Sequence, residues 1–183
     1  MGKIGCELLA SLRALDRKYC TPDRRIASLL ELDASELKKR GIKCLLFDAD
    51  NTLFPHHASS ADAAVVAKLR SLSKLFRFAI VSNKPGKERV AALGSYFNKK
   101  LKLGIYISKS KARKPCAEPF LEALEHLGAK PREAAMVGDK LFTDIAGAKM
   151  LGIYAIKVRP VDAASEPACF LPIRLLERLL VPE

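Results

Sequence analysis

The chain has 183 residues, enough for one domain with a single hydrophobic core. Apolar residues make up 49% of it and no segment is of low complexity, which excludes a mainly disordered protein. The five cysteines are scattered without a CxxC pair, so neither a disulfide framework nor a structural zinc site is expected. No apolar run approaches the ~20 residues that span a bilayer, and no secretory signal is predicted. We therefore expect a cytoplasmic protein without a transmembrane segment.

The first 41 residues are predicted to be helical. Apolar residues recur there at helical spacing: Ile4, Leu8, Leu12 and Leu15. Asp33, followed three residues later by Glu36, resembles a capping box that starts a second, short helix. Residues 1–41 are therefore expected to form a helical extension in front of the core of the domain.

From residue 42 onward, short apolar runs alternate with helical segments. The predicted strands are Cys44–Phe47, Phe78–Val81, Ile105–Ile107, Ala134–Val137 and Tyr154–Val158. The predicted helices lie near residues 61–75, 86–93, 117–127 and 143–151, and an amphipathic helix is predicted over 171–180. Since the apolar residues of each strand run together, the sheet is expected to be parallel and buried on both faces. The chain is thus predicted to be one α/β domain, 1–183, with its core over 42–158 and a tail over 159–183.

Residues that can carry chemistry follow the first four predicted strands, at the edge where parallel sheets bind ligands. In chain order they are Asp48, Asp50, Ser82, Asn83, Lys114, Asp139 and Asp144. Each has a common structural explanation when taken alone, such as a solvated acidic loop. Taken together, the converging carboxylates would repel one another without a hard cation among them, and oxygen ligands select Mg²⁺. A hydroxyl and an ammonium group nearby suit a phosphoryl group in transfer.

These segments resemble the four motifs of the haloacid dehalogenase (HAD) superfamily. The matching parts are DxDxT over residues 48–52, then Ser82, then Lys114 with Pro115, and GDxxxTD over 138–144. The resemblance implies a Rossmann-like three-layer α/β/α sandwich with a mainly parallel sheet. It also implies a phosphatase that forms an aspartyl-phosphate intermediate.

The resemblance assigns roles to individual residues. Asp48 would be the nucleophile and Asp50 the general acid and base, which also argues against a dehalogenase. The implied ligands of Mg²⁺ are Asp48, Asp50 and Asp139. Substrate binding would fall to Ser82, Asn83 and Lys114. Thr52 and Asp144 would support the site, Asp144 by orienting Lys114 or a metal-bound water.

A narrower resemblance is to a class IIIA subgroup that includes phosphatidylglycerophosphate phosphatases. It rests on the residues around the DxD, on the Ser-Asn after the second strand and on Lys-Ala-Arg-Lys-Pro at 111–115. Lys84 departs from the subgroup, in which a second Asn is expected. The predicted elements leave no room for a cap domain, and an uncapped site suits a phosphate presented on a lipid head group, a protein or a nucleic-acid end.

The net charge of +12 is concentrated in residues 84–114. This segment contains ten basic residues and one acidic residue, Glu88, which gives it a net charge of +9. Such a concentration predicts an anionic partner. The favoured interpretation is hydrolysis of phosphatidylglycerophosphate to phosphatidylglycerol by a peripheral protein on the inner face of a membrane. The alternatives are a phosphatase of nucleic-acid ends, phosphoproteins or small phosphometabolites, and a basic nucleic-acid-binding protein without activity. Nucleic acid is disfavoured because no recognition motif is present. Whether the terminal amphipathic helices bind membrane or pack on the core stays open.

Overall fold

The computed structural model describes residues 14–56, 58, 60–83 and 87–181. The predicted helix over Ile4–Leu12 and the departure at Lys84 lie outside these residues. Among the described residues, six strands form one sheet: β1 (Arg24–Ile26), β2 (Cys44–Phe47), β3 (Arg77–Ile80), β4 (Tyr106–Ile107), β5 (Ala134–Gly138) and β6 (Tyr154–Val158). Their order is β1-β6-β5-β2-β3-β4, and every pairing is parallel. The parallel sheet is confirmed, with β2 near its centre.

Helices connect these strands. They are α1 (Arg17–Cys20), α2 (Ala34–Lys39), α3 (Ala63–Ser73), α4 (Lys87–Gly94), α5 (Glu118–Leu127), α6 (Ala146–Met150) and α7 (Leu171–Leu180). A π-helical turn, Ser95–Lys100, extends α4, and a second, Leu141–Ile145, leads into α6. The α5 helix ends at Gly128, whose φ of 56° is the left-handed conformation that glycine favours at helix ends.

The core lies on both faces of the sheet. Every residue of β2 is buried, and successive side chains point to opposite faces. Leu45 and Phe47 join the core cluster under α3, and Leu46 joins the other cluster with Phe120 of α5. The Phe47 and Phe78 rings meet edge to face, with centroids 5.3 Å apart. Helical layers on both faces of a parallel sheet confirm the Rossmann-like α/β fold.

The N-terminal prediction was wrong at one point. Residues Arg24–Ile26 form a strand that pairs with β6, so the segment 1–41 contributes to the sheet and is not entirely helical. Three residues are too few to show an alternating pattern, and charged residues such as Arg25 are common on edge strands. The helix start at Asp33 is confirmed, because its carboxylate accepts hydrogen bonds from the N–H groups of Ser35 (2.8 Å) and Glu36 (3.4 Å).

The topology brings the motif residues to one edge. Because all six strands are parallel, the segments that follow β2, β3, β4 and β5 leave the sheet at its carboxyl edge. The described residues between β2 and β3 form a single helix, and those between β3 and β4 form α4 with its π-helical extension, so neither connection forms a cap domain there. None of the helices in the described parts of the chain has the length and apolar character needed to cross a bilayer.

Candidate active site

A buried ammonium between two carboxylates lies at the centre of the carboxyl edge. The Nζ atom of Lys114 is 2.6 Å from Oδ1 of Asp48 and 2.7 Å from Oδ1 of Asp144. All three residues are buried. Charges removed from water in this way need close partners, and here each has one. The predicted convergence of Asp48, Lys114 and Asp144 is therefore what the structure shows.

The environment perturbs the pKa values of this trio. Burial raises the pKa of Asp48 to about 7, against the opposing attraction of Lys114. Burial alone would lower the pKa of Lys114, but attraction by Asp144 and Asp48 outweighs it and the net pKa is raised. Asp144 behaves in the opposite way to Asp48, because Lys114 and Lys140 outweigh burial and lower its pKa. The two carboxylates that share one ammonium are thus electrostatically distinct, and Asp48 is the more basic.

Backbone contacts fix the position of the two catalytic segments. The N–H of Asp48 donates to the carbonyl of Val137 (3.0 Å), which continues the β2–β5 pairing by one residue. The side chain of Asn83 bonds the backbone of Lys114 twice, accepting from its N–H (2.7 Å) and donating to its carbonyl (3.1 Å). Asn83 therefore positions the Lys114 loop, and its expected contact with substrate remains a prediction. Ser82 lies half-buried at the end of β3, at the predicted edge.

Gly138 permits the close approach of Asp144. A Cβ atom at Gly138 would lie 2.4 Å from the Cβ and 2.5 Å from Oδ2 of Asp144. Real Cβ contacts do not reach these distances, so any side chain at residue 138 would displace Asp144 and with it Lys114. The glycine of the GDxxxTD motif is required here by space.

Three buried carboxylates could hold a metal ion. Asp48, Asp139 and Asp144 each offer an oxygen atom within 4.8 Å of the others. Such a set of hard oxygen ligands fits Mg²⁺. Thr52 supports the group, because its hydroxyl lies 3.5 Å from Oδ1 of Asp139. The expected ligand set also included Asp50, whose carboxylate faces Arg89, with Nη2 of Arg89 2.6 Å away. The carboxylate of Asp50 is thus outside this trio, and its role as a ligand remains a prediction.

A second cluster of ions surrounds Asp139. Arg174 of α7 forms an ion pair with the Asp139 carboxylate and donates to the Asp139 carbonyl oxygen (2.7 Å). The same guanidinium reaches Glu166 (2.8 Å) and Glu177 (3.0 Å). Lys140 lies 3.4 Å from Asp139. None of these partners was predicted, although Arg174 and Glu177 are opposite charges three residues apart in a mostly apolar helix, a spacing that allows an ion pair.

The combined charge of the two ion-pair clusters supports a divalent cation between them. Together they contain five carboxylates, from Asp48, Asp139, Asp144, Glu166 and Glu177. Three cations balance them: Lys114, Lys140 and Arg174. The remaining formal charge of −2 is costly in a buried site, and one Mg²⁺ would neutralise it.

The basic segment is divided between two edges of the sheet. Arg89 lies near the amino end of α4 beside the site, and Lys111 follows β4 at the carboxyl edge. Lys99, Lys100 and Lys102 follow the far end of the α4 connection, which runs antiparallel to the strands and therefore lies towards their amino ends. These three lysines therefore do not flank the site, because the crossover traverses the sheet.

Comparison with known proteins gives the same assignment as the motifs. The family described as mitochondrial PGP (phosphatidylglycerophosphate) phosphatase matches residues 7–161. Phosphatidylglycerophosphate phosphatase 1, chloroplastic/mitochondrial, of Arabidopsis thaliana is 28% identical over 91% of this chain and 48% of its own length. Phosphatidylglycerophosphate phosphatase 1, chloroplastic, of Chlamydomonas reinhardtii is 30% identical over 97% of this chain and 66% of its own length. The chain thus spans less than two thirds of the length of either relative.

The structural comparison supports the fold. An uncharacterized protein from Listeria monocytogenes serotype 4b superposes with a TM-score of 0.52 at 21% identity, covering 76% of this chain and 98% of that one. At this identity the likeness shows a shared architecture. Because the family match spans most of the residues and includes all four motifs, the chain belongs to the PGP phosphatase family of the HAD superfamily.

Proposed function

We propose that the chain is a Mg²⁺-dependent phosphomonoester hydrolase that converts phosphatidylglycerophosphate to phosphatidylglycerol at a membrane surface. The observation that carries the proposal is the buried Asp48 carboxylate at the end of the central strand, with the Lys114 ammonium 2.6 Å away. This pair has the geometry of an activated carboxylate nucleophile beside a cation that can receive a phosphoryl oxygen. Family membership supports the same reaction.

The reaction takes place in two steps. In the first, an Asp48 oxygen bonds to phosphorus as the bond to the glycerol oxygen breaks, and Asp50 gives that oxygen its proton. In the second, Asp50 takes a proton from water, the water oxygen bonds to phosphorus, and the bond to Asp48 breaks. Inorganic phosphate leaves and both aspartates are restored.

Neighbouring groups prepare these steps. Lys114 donates to the phosphoryl oxygens, and Asp144 holds the ammonium in place because it is paired at 2.7 Å and fully buried. Arg89 fixes the orientation of the Asp50 carboxylate. Asp48, Asp139 and Asp144 would hold Mg²⁺, which when bound neutralises negative charge on the phosphoryl group.

The lipid substrate is supported by the open edge of the sheet and by charge. No connection among the described residues covers the carboxyl edge as a cap would. Lys109, Lys111 and Arg113 follow β4 at that edge, where they suit an anionic surface. The two relatives are named as chloroplastic or mitochondrial proteins, and the cytoplasmic location expected for this chain remains a prediction.

The test is phosphate release by the purified protein with Mg²⁺. Phosphatidylglycerophosphate in anionic vesicles is compared with a 5′-phosphorylated oligonucleotide, a phosphopeptide and p-nitrophenyl phosphate, and Asp48→Asn serves as the inactive control. The proposal predicts the highest kcat/KM for the lipid. Faster hydrolysis of the oligonucleotide would redirect the assignment to nucleic-acid ends. Absence of hydrolysis of every ester would favour a non-enzymatic binding protein.

A further inference from the structure

The α7 helix presents its apolar side to solvent. Leu171, Leu175 and Leu179 are 66%, 61% and 72% exposed. Residues four apart lie on one face of a helix, so these leucines form a continuous ridge. The polar residues Arg174 and Glu177 face the opposite way, into the protein. A surface helix normally has the reverse arrangement, with its apolar stripe towards the core.

Ion pairs hold the helix in this orientation. Arg174 contacts Asp139 twice, through the carboxylate and through the backbone carbonyl oxygen. Glu177 accepts a hydrogen bond from the N–H of Leu141 at 2.6 Å. Rotating the leucine ridge inward would break these contacts and leave buried charges without partners, at a cost that the apolar burial would have to exceed. The contacts of Arg174 and Glu177 therefore keep the leucine ridge exposed to solvent.

An apolar cavity connects this helix to the catalytic lysine. It has a volume of about 380 Å³. Its apolar wall is formed by Leu15, Pro115, Phe142, Phe170, Ile173 and Leu176. Its charged lining residues are Lys114, Lys140 and Glu177. Since Glu177 is already paired with Arg174, the two lysines and the apolar side chains complement a molecule with an anionic head and an apolar body.

We propose that the leucine ridge of α7 docks the protein on an anionic phospholipid bilayer and that the cavity receives the apolar part of the lipid whose phosphate reaches Lys114. This inference rests on the proposed function and specifies where the lipid is held. Charge selects the bilayer as the occupant of the ridge. The chain carries +12 and the exposed Arg178 lies on the same helix, so a second copy would be repelled while an anionic surface is attracted. The docking helix lies beyond the family-matched residues 7–161.

The first experiment measures binding without requiring activity. Leu175→Glu is compared with wild type in co-sedimentation with phosphatidylglycerol vesicles, and Leu75→Glu is the matched control. Leu75 is also exposed (43%), but it lies between α3 and the start of β3, at the opposite edge of the sheet. We expect Leu175→Glu to weaken the partition onto vesicles by about tenfold or more and Leu75→Glu to leave it unchanged. Equal binding by wild type and Leu175→Glu would overturn the docking role.

A second readout separates this inference from the proposed function. The ratio of the rate on vesicle-borne phosphatidylglycerophosphate to the rate on p-nitrophenyl phosphate should fall at least about fivefold in Leu175→Glu. If the wild type hydrolyses the lipid and the ratio does not change, the docking inference fails and the function stands. If the wild type hydrolyses no ester but Leu175→Glu loses the vesicle binding that the wild type shows, the proposed function fails and the docking inference stands. A large drop in Tm for Leu175→Glu would show that the ridge is covered in the folded chain, which overturns the inference.

Discussion

Replacing Asp48 by Asn should abolish turnover without destabilising the protein. The carboxylate is buried with only 9% of its side chain exposed, and its partner Lys114 retains Asp144 at 2.7 Å when Asp48 becomes neutral. The substitution therefore removes a desolvated charge without leaving its partner unpaired. Strained active sites are maintained at the expense of stability, and single stabilising substitutions commonly contribute about 0.5–2 kcal/mol, the range we expect here.

The expected change in Tm follows from the change in unfolding free energy and the size of the domain. For 150–250 residues, 1 kcal/mol corresponds to a Tm change of about 2–4 °C. In EDTA we therefore expect the Asp48→Asn protein to melt about 1–8 °C above wild type, while kcat falls by about 10³-fold or more. With saturating Mg²⁺ the difference should shrink or reverse, because only the wild type keeps all three carboxylates of the metal site.

The assay pairs calorimetric melts in EDTA and in Mg²⁺ with phosphate release. Asp144→Asn is the useful comparison, because it removes the other partner of Lys114 but leaves the nucleophile in place. A clear fall in Tm for Asp48→Asn in EDTA would refute the reasoning, since Asp48 would then be a structural residue. Substantial residual turnover by the same variant would refute its role as the nucleophile.

Three further predictions test other parts of the account. Gly138→Ala should lower kcat by at least about tenfold, measured by phosphate release, because its Cβ would collide with the Asp144 side chain at 2.4 Å; wild-type turnover would show that Asp144 is free to move. Asp139→Ala should raise the Mg²⁺ concentration for half-maximal activity about tenfold or more, and an unchanged metal titration would exclude it as a ligand. Burial raises the pKa of Cys20 and of Cys44 from 9.0 to about 11. Both thiols then stay protonated in the folded chain while the unfolded chain ionises, so stability to urea should fall between pH 9 and pH 11, and the fall should be smaller in a Cys44→Ala variant.

Much of the site could be predicted from the sequence because its residues follow strands with strong local signals. The β2 and β6 strands were predicted with the observed bounds, since β2 is a continuous apolar run and β6 is interrupted only by Lys157. Parallel topology then places Asp48, Lys114 and Asp144 at one edge with no further information. Asp144 was expected to orient Lys114, and the two lie 2.7 Å apart. Its place among the possible metal ligands was not predicted, because it depends on the close approach of Asp144 to Gly138.

The features of the site and fold that were not predicted depend on contacts between distant parts of the chain. Arg174 reaches Asp139 from 35 residues away, and no local pattern reports such a pair. The burial of Arg174 and Glu177 also reverses the usual interpretation of an amphipathic helix, in which the apolar side is assigned to the core. The β1 strand was missed because three residues at a charged edge have no measurable period. The roles assigned to Ser82 and Asp50 in catalysis remain predictions.

The most direct test of the central claim is to trap the covalent intermediate on Asp48. The protein is mixed with phosphatidylglycerophosphate vesicles and Mg²⁺, quenched with borohydride during turnover and digested for mass spectrometry. Reduction of an acyl phosphate converts that aspartate to homoserine. We predict homoserine at residue 48 in the peptide that follows β2, only when substrate is present and not in Asp48→Asn. Steady hydrolysis with an unmodified Asp48 and with homoserine at another position, or at none, would contradict the assignment of the nucleophile.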